Sequence, residues 1–81
     1  MRVTVQLFAR LRELAGASAL ECDVPSGATI RSVWLATTAK HPELDGFTSN
    51  ISCARNEDFA KMTTPVADGD EIAFLPPVSG G

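Results

Sequence analysis

Asp68-Gly69-Asp70-Glu71-Ile72-Ala73-Phe74-Leu75-Pro76-Pro77-Val78-Ser79-Gly80-Gly81 is the closing stretch of the sequence. Asp68-Gly69-Asp70 has the composition of a tight turn. Glu71, Ala73 and Leu75 then alternate with Ile72 and Phe74, the period-two signature of a strand. Pro76 has no N–H to give to a sheet ladder, and Pro77 prolongs an extended geometry. The strand is therefore predicted to stop at Leu75, dividing the chain into a folded body, 1–75, and a tail, 76–81. Gly80 and Gly81 leave a backbone without side chains, which can approach a partner closely. Such an end suits a carboxylate that must thread into another protein's site. A merely frayed terminus has the same composition, so what precedes the tail carries weight.

Val3, Val5 and Leu7 alternate with Thr4, Gln6 and Phe8, giving a first strand over 2–8. Both of its faces are apolar or neutral, as a central strand requires. Residues 9–15 offer Leu11, Leu14 and Ala15, a short helical turn closed by Gly16. Leu20, Cys22 and Val24 alternate with Glu21 and Asp23, a second strand with one wet face that ends at Pro25-Ser26-Gly27. Thr29 is a suitable N-cap. Ile30, Val33, Trp34 and Thr37 form one helical stripe, and the helix is predicted to stop near Lys40, before His41-Pro42. Trp34 reads as core. Residues 42–50 read as a loop, 51–54 as a short strand, 55–58 as a polar turn and 59–62 as another strand. The order is β-β-α-β-β-β with one main helix, which points to a two-layer α+β domain, a mixed sheet covered on one face.

With 81 residues the chain has room for one small domain, and 44% hydrophobic content with a net charge of −3 describes a globular chain rather than a disordered one. The seven basic residues are scattered, so no phosphate-binding patch forms and no nucleic-acid partner is expected. No apolar run is long enough to span a membrane. Met1-Arg2 leads straight into a strand with no signal-peptide pattern, so the expected setting is cytoplasmic. Cys22 and Cys53 belong to no C-x-x-C pattern; two reduced, partly buried thiols are expected, with a disulfide between them left open. His41 has no ligand partner at metal spacing and reads as a helix-end surface residue; no metal site is expected.

Three stretches carry a resemblance: Phe8-Ala9-Arg10-Leu11-Arg12-Glu13-Leu14-Ala15-Gly16; the helix from Thr29-Ile30 to His41-Pro42-Glu43-Leu44; and the closing stretch, with its two prolines and Gly-Gly end. Together they resemble the MoaD/ThiS sulfur-carrier group of ubiquitin-like proteins, over the whole chain and on the side of the molybdopterin synthase small subunits. The resemblance implies a β-grasp fold of about five strands. It implies that the Gly81 carboxylate is adenylated with ATP by an E1-like (MoeB-like) enzyme and converted to a thiocarboxylate with sulfur from a donor protein. Seated in a large subunit (MoaE-like) within a heterotetramer, the thiocarboxylate would give its sulfur to cyclic pyranopterin monophosphate. Two such donations build the molybdopterin dithiolene. The chain itself would bind no cofactor and supply no catalytic machinery.

The resemblance also distributes roles. Gly81 would react, and Gly80, Ser79 and Val78 would lie in the partner's groove. Pro76 and Pro77 would stiffen the root of a tail able to reach roughly 20 Å when extended. Leu75 stands where many relatives have an aromatic residue that docks the large subunit. Phe8 and Arg12 sit near the partner-binding face, with a core role still open for Phe8 and a solvated helix charge for Arg12. Phe74 points the other way, into the core. Arg55 stands where relatives usually show an apolar residue, which leaves the strand register there open. Lys61 could meet a partner carboxylate or simply be solvated. The competing roles are a carrier for thiamin thiazole or cysteine synthesis, a ubiquitin-like protein modifier acting through Gly81, and a plain interaction module.

Overall fold

The alternation at 71–75 becomes a strand at the centre of the molecule. In the computed structural model, which describes residues 1–77, the elements are β1 (Arg2–Leu7), α1 (Ala9–Ala15), β2 (Ala19–Asp23), α2 (Ile30–Lys40), a 3-10 helix (Pro42–Phe47), β3 (Ser52–Arg55), β4 (Asp58–Ala60) and β5 (Glu71–Leu75). They form one five-stranded sheet in the order β2-β1-β5-β3-β4. β5 runs parallel to β1 and antiparallel to β3. One face of each central strand is buried: Val3, Val5 and Leu7 on β1, Ile72 and Phe74 on β5. This is the mixed α+β, β-grasp arrangement expected from the sequence.

α2 covers that face for the reasons its sequence gives. Thr29 Oγ1 accepts from the Ser32 N–H at 3.4 Å, and Ser32 Oγ accepts from the Thr29 N–H at 3.1 Å, a reciprocal cap on two otherwise unpaired donors. Ile30, Val33, Trp34 and Thr37 are all buried. Trp34 packs its ring against Phe74 with centroids 4.9 Å apart, tilted by 58°, and its Nε1 donates to Thr48 Oγ1 at 2.9 Å. A fully buried indole thus keeps a hydrogen-bond partner, and burying a side chain of this kind contributes about 1.5–3 kcal/mol.

Several boundaries differ from the expectation. Residues 42–47, read as part of a loop, form a 3-10 helix with Pro42 in its first turn and Leu44 fully buried. One apolar anchor holds the segment down without the repeating stripe that would have announced a helix. The helical turn expected over 9–15 keeps its bounds as a seven-residue helix, closed by Gly16 in the left-handed region at φ 73. β1 ends at Leu7 rather than Phe8, and β2 starts at Ala19 and stops before Val24. β3 runs to Arg55, and β4 covers 58–60 rather than 59–62. The turn between them is therefore two residues, Asn56 and Glu57, both at positive φ (49 and 76), the geometry that matches the twist of a hairpin.

Arg55 faces Ile72 across the sheet and would be an unpaired charge at the core's edge without Asp70. The buried Asp70 carboxylate accepts from Arg55 Nε at 2.6 Å, Asn56 Nδ2 at 2.9 Å and the Ala67 N–H at 2.7 Å. This cluster ties the β3–β4 turn to the entry of β5 and fixes the register that the sequence left open.

Candidate functional site

Because β1 and β5 are parallel, their C-terminal ends reach the same rim of the sheet. Leu7 lies opposite Phe74, and both side chains enter the core. The next residue on each strand turns to the opposite face. On β5 that residue is Leu75, half-buried. On the other chain segment it is Phe8, whose backbone is extended at φ −121, ψ 153 and whose side chain is 43% exposed. The core role left open for Phe8 is thereby excluded. Ala9 follows at φ 51, a left-handed conformation that costs a residue with a Cβ about 1–2 kcal/mol. That turn redirects the chain into α1 and leaves the Phe8 ring pointing outward.

Arg12 lies one helical turn beyond Phe8 on α1, which packs against β5. It is exposed and has no carboxylate partner among the described residues. Pro76 is half-buried and Pro77 exposed at the same rim. The parallel strand ends therefore bring Phe8, Leu75, Pro76 and Pro77 to one rim, and Arg12 lies on the helix that begins there. Val78, Ser79, Gly80 and Gly81 lie outside the described residues.

The sheet face away from α2 continues this surface. Strand registers place Ala19, Gln6, Ala73, Ala54 and Phe59 in one row across it, with Ser52 opposite Leu75 in the next. Phe59 is 82% exposed. The small side chains of Ala73 and Ala54 leave it standing above the surface. Sequence reading missed this residue because its face depends on the turn before it. A two-residue turn at Asn56-Glu57 sets Phe59 opposite Ala54, on the outer face; recognising that turn would have found it. Lys61 follows, exposed and without an ion-pair partner among the described residues.

The thiols stay out of this site. Cys22 pairs with Val3 and Cys53 with Phe74. They thus lie on β2 and β3, three strand spacings or about 14 Å apart, too far for a disulfide. Burial pushes both thiols above the ordinary cysteine range, so they are protonated and poor nucleophiles. His41 caps α2, with Nδ1 3.4 Å from Glu43 Oε2. No cluster of three or more potential metal ligands exists among the described residues, and none of their helices is long and apolar enough to cross a membrane.

The fold and the sequence are shared with known proteins. A family model described as ThiS family matches residues 5–81. The molybdopterin synthase sulfur carrier subunit of Arabidopsis thaliana is 37% identical over 81 residues, covering 100% of this chain and 84% of the relative. Small archaeal modifier protein 1 of Haloferax volcanii is 36% identical over 84 residues, covering 94% of this chain and 97% of the relative. The crystal structure of SAMP1 from Haloferax volcanii superimposes with a TM-score of 0.92 at 34% identity, covering 100% of both chains. A central β5 ending in two prolines, a β-grasp body and a family match that runs through Gly81 lead to one conclusion: the chain belongs to the ThiS/MoaD family.

Proposed function

We propose that this protein is a sulfur carrier, the small subunit of a molybdopterin synthase, and that the Gly81 carboxylate is its reacting group. The observation that carries the reading is the exit of the chain from β5. It leaves through Pro76-Pro77 beside the outward-facing Phe8 and Leu75, so one docking event can seat the body and direct the tail. An E1-like adenylating enzyme and ATP activate the carboxylate: a Gly81 oxygen attacks the α-phosphorus and pyrophosphate leaves. Sulfur at the sulfide level, delivered by a donor protein, then displaces AMP and leaves a thiocarboxylate. In a large subunit, within a heterotetramer, that sulfur passes to cyclic pyranopterin monophosphate.

The body contributes position rather than reaction chemistry. Phe8, Leu75 and Phe59 supply apolar docking area, and Arg12 and Lys61 supply cations at its margin. Glycines at 80 and 81 fit a channel that side chains would block. The adenylating and transferring groups belong to the partners, as does stabilisation of the charge that develops on the carbonyl oxygen.

A second reading, a protein modifier that forms isopeptide bonds through Gly81, is favoured by the likeness to small archaeal modifier protein 1. Reconstitution separates the two. With activating enzyme, ATP, sulfur donor, large subunit and pyranopterin, the carrier reading predicts molybdopterin formation and return of the chain to its original mass. Lysine-linked conjugates formed without any pterin product would overturn it in favour of the modifier.

A further inference from the structure

Away from the β5 rim, a cleft of about 240 Å³ runs between β2 and α2. Leu20, Cys22 and Ala36 give it an apolar floor, Thr37, Lys40 and His41 line its α2 side, and Glu21 and Asp23 stand along its β2 rim. β2 is an edge strand. Its hydrogen bonds to β1 alternate: Met1 and Val24 exchange bonds of 2.8 and 2.9 Å, and the Leu7 N–H donates to the Ser18 carbonyl at 2.9 Å. Residues in step with these, Leu20 and Cys22, direct their backbone toward β1. Ala19, Glu21 and Asp23 direct theirs outward, and among the described residues nothing pairs with those groups. An open ladder edge thus borders a lined cleft, the combination that receives an extended peptide as an added strand.

We propose that this edge and cleft bind an extended peptide in which aliphatic and basic residues alternate. Register sets the phase. Peptide side chains on the core side of the sheet lie over Leu20, Cys22 and Ala36, an apolar floor, so the aliphatic residues are the ones that enter the cleft. The alternate residues then rise on the outer face beside Glu21 and Asp23, two carboxylates at strand spacing. Glu21 accepts from the Thr4 hydroxyl at 3.5 Å, and Asp23 pairs with Arg2 at 3.1 Å on an exposed pair whose guanidinium also lies in the field of Glu21. A second copy of the chain is the poorer occupant. Two β2 edges paired antiparallel would set these carboxylates against one another, and like charges directly opposite are destabilising. The site is independent of the sulfur-carrier reading and stands or falls separately from it.

The test is an NMR titration of the isotope-labelled full chain with a peptide of alternating valine and lysine, about eight residues long, and with its valine–glutamate counterpart. The lysine peptide should shift the amides of Ala19, Glu21, Asp23 and Ala36 and slow hydrogen exchange at the outward amides of β2. Glu21→Lys, a change at an exposed position, should weaken that peptide about tenfold and strengthen the glutamate peptide. Absence of binding, shifts centred on β4 or on the Phe8–Leu75 rim, or equal affinity of both proteins for the lysine peptide would each overturn the proposal. So would concentration-dependent shifts of β2 without peptide, which would mean a second copy.

Discussion

Phe8, Leu75 and Phe59 are apolar side chains on the face that α2 does not cover, and the exposure of Phe8 and Phe59 makes those two cheap to remove from the folded state. Phe8→Ala or Phe59→Ala should leave the thermal midpoint nearly unchanged, because most of Phe59 and much of Phe8 already faces water. In complex with a large subunit, each truncation should cost about 1–3 kcal/mol of affinity, the range of aromatic anchors at interfaces. Calorimetric titration and a melting curve check the two halves of this statement. A fall in the melting midpoint with affinity intact would assign these residues to the fold. At this scale, the end of β5 at Leu75 could be read directly, because the backbone consequence of Pro76 is local. Phe59 could not: a slip of one residue in register carries a side chain to the other face, and that register is set by a turn and an ion pair elsewhere.

Among the elements, the β3–β4 hairpin carries an unusual load. Glu57 sits at φ 76, a conformation glycine adopts freely. Glu57→Gly relieves about 1–2 kcal/mol of backbone strain against about 0.5–1 kcal/mol of added chain entropy. The hairpin should gain about 0.5–1 kcal/mol, read as a higher urea midpoint; a lower midpoint would mean the Glu57 side chain stabilises the turn in another way. The strands and α2 were legible from alternation, from the Ile30-Val33-Trp34-Thr37 stripe and from the Thr29 cap, all short-range signals. The 3-10 helix at Pro42–Phe47 was not. It rests on the insertion of Leu44 into a core assembled from distant segments, and one buried residue makes no period. Arg55 was legible as a departure from an apolar position, but its partner Asp70 lies 15 residues on.

For the whole molecule, that same Asp70 couples stability to pH. Its hydrogen bond from Arg55, helped by those from Asn56 and Ala67, outweighs burial and holds the carboxyl at about 2. The unfolded chain titrates near 3.9. The folded pKa is the lower one, so the contribution is complete above about pH 4 and is lost as pH falls toward 2. With Arg55 partly exposed, screening reduces it to about 1–2 kcal/mol. Asp70→Asn should therefore be less stable at pH 7 by about that amount and should nearly match the parent at pH 2, as urea unfolding at the two values would show. An equal difference at both would mean the carboxylate's charge is not what stabilises the cluster.

The body so described ends at the rim where β5 gives way to Pro76-Pro77, and the central claim is that it exists to present one carboxylate. Intact mass spectrometry after incubation with an E1-like activating enzyme, ATP and a sulfur source tests that claim most directly. The account predicts a gain of about 16 Da, one oxygen exchanged for sulfur at Gly81, and no gain in a chain lacking Gly81 whose melting midpoint is unchanged. A parent chain that keeps its mass under these conditions, or a Gly81-deleted chain that still gains sulfur, would contradict it.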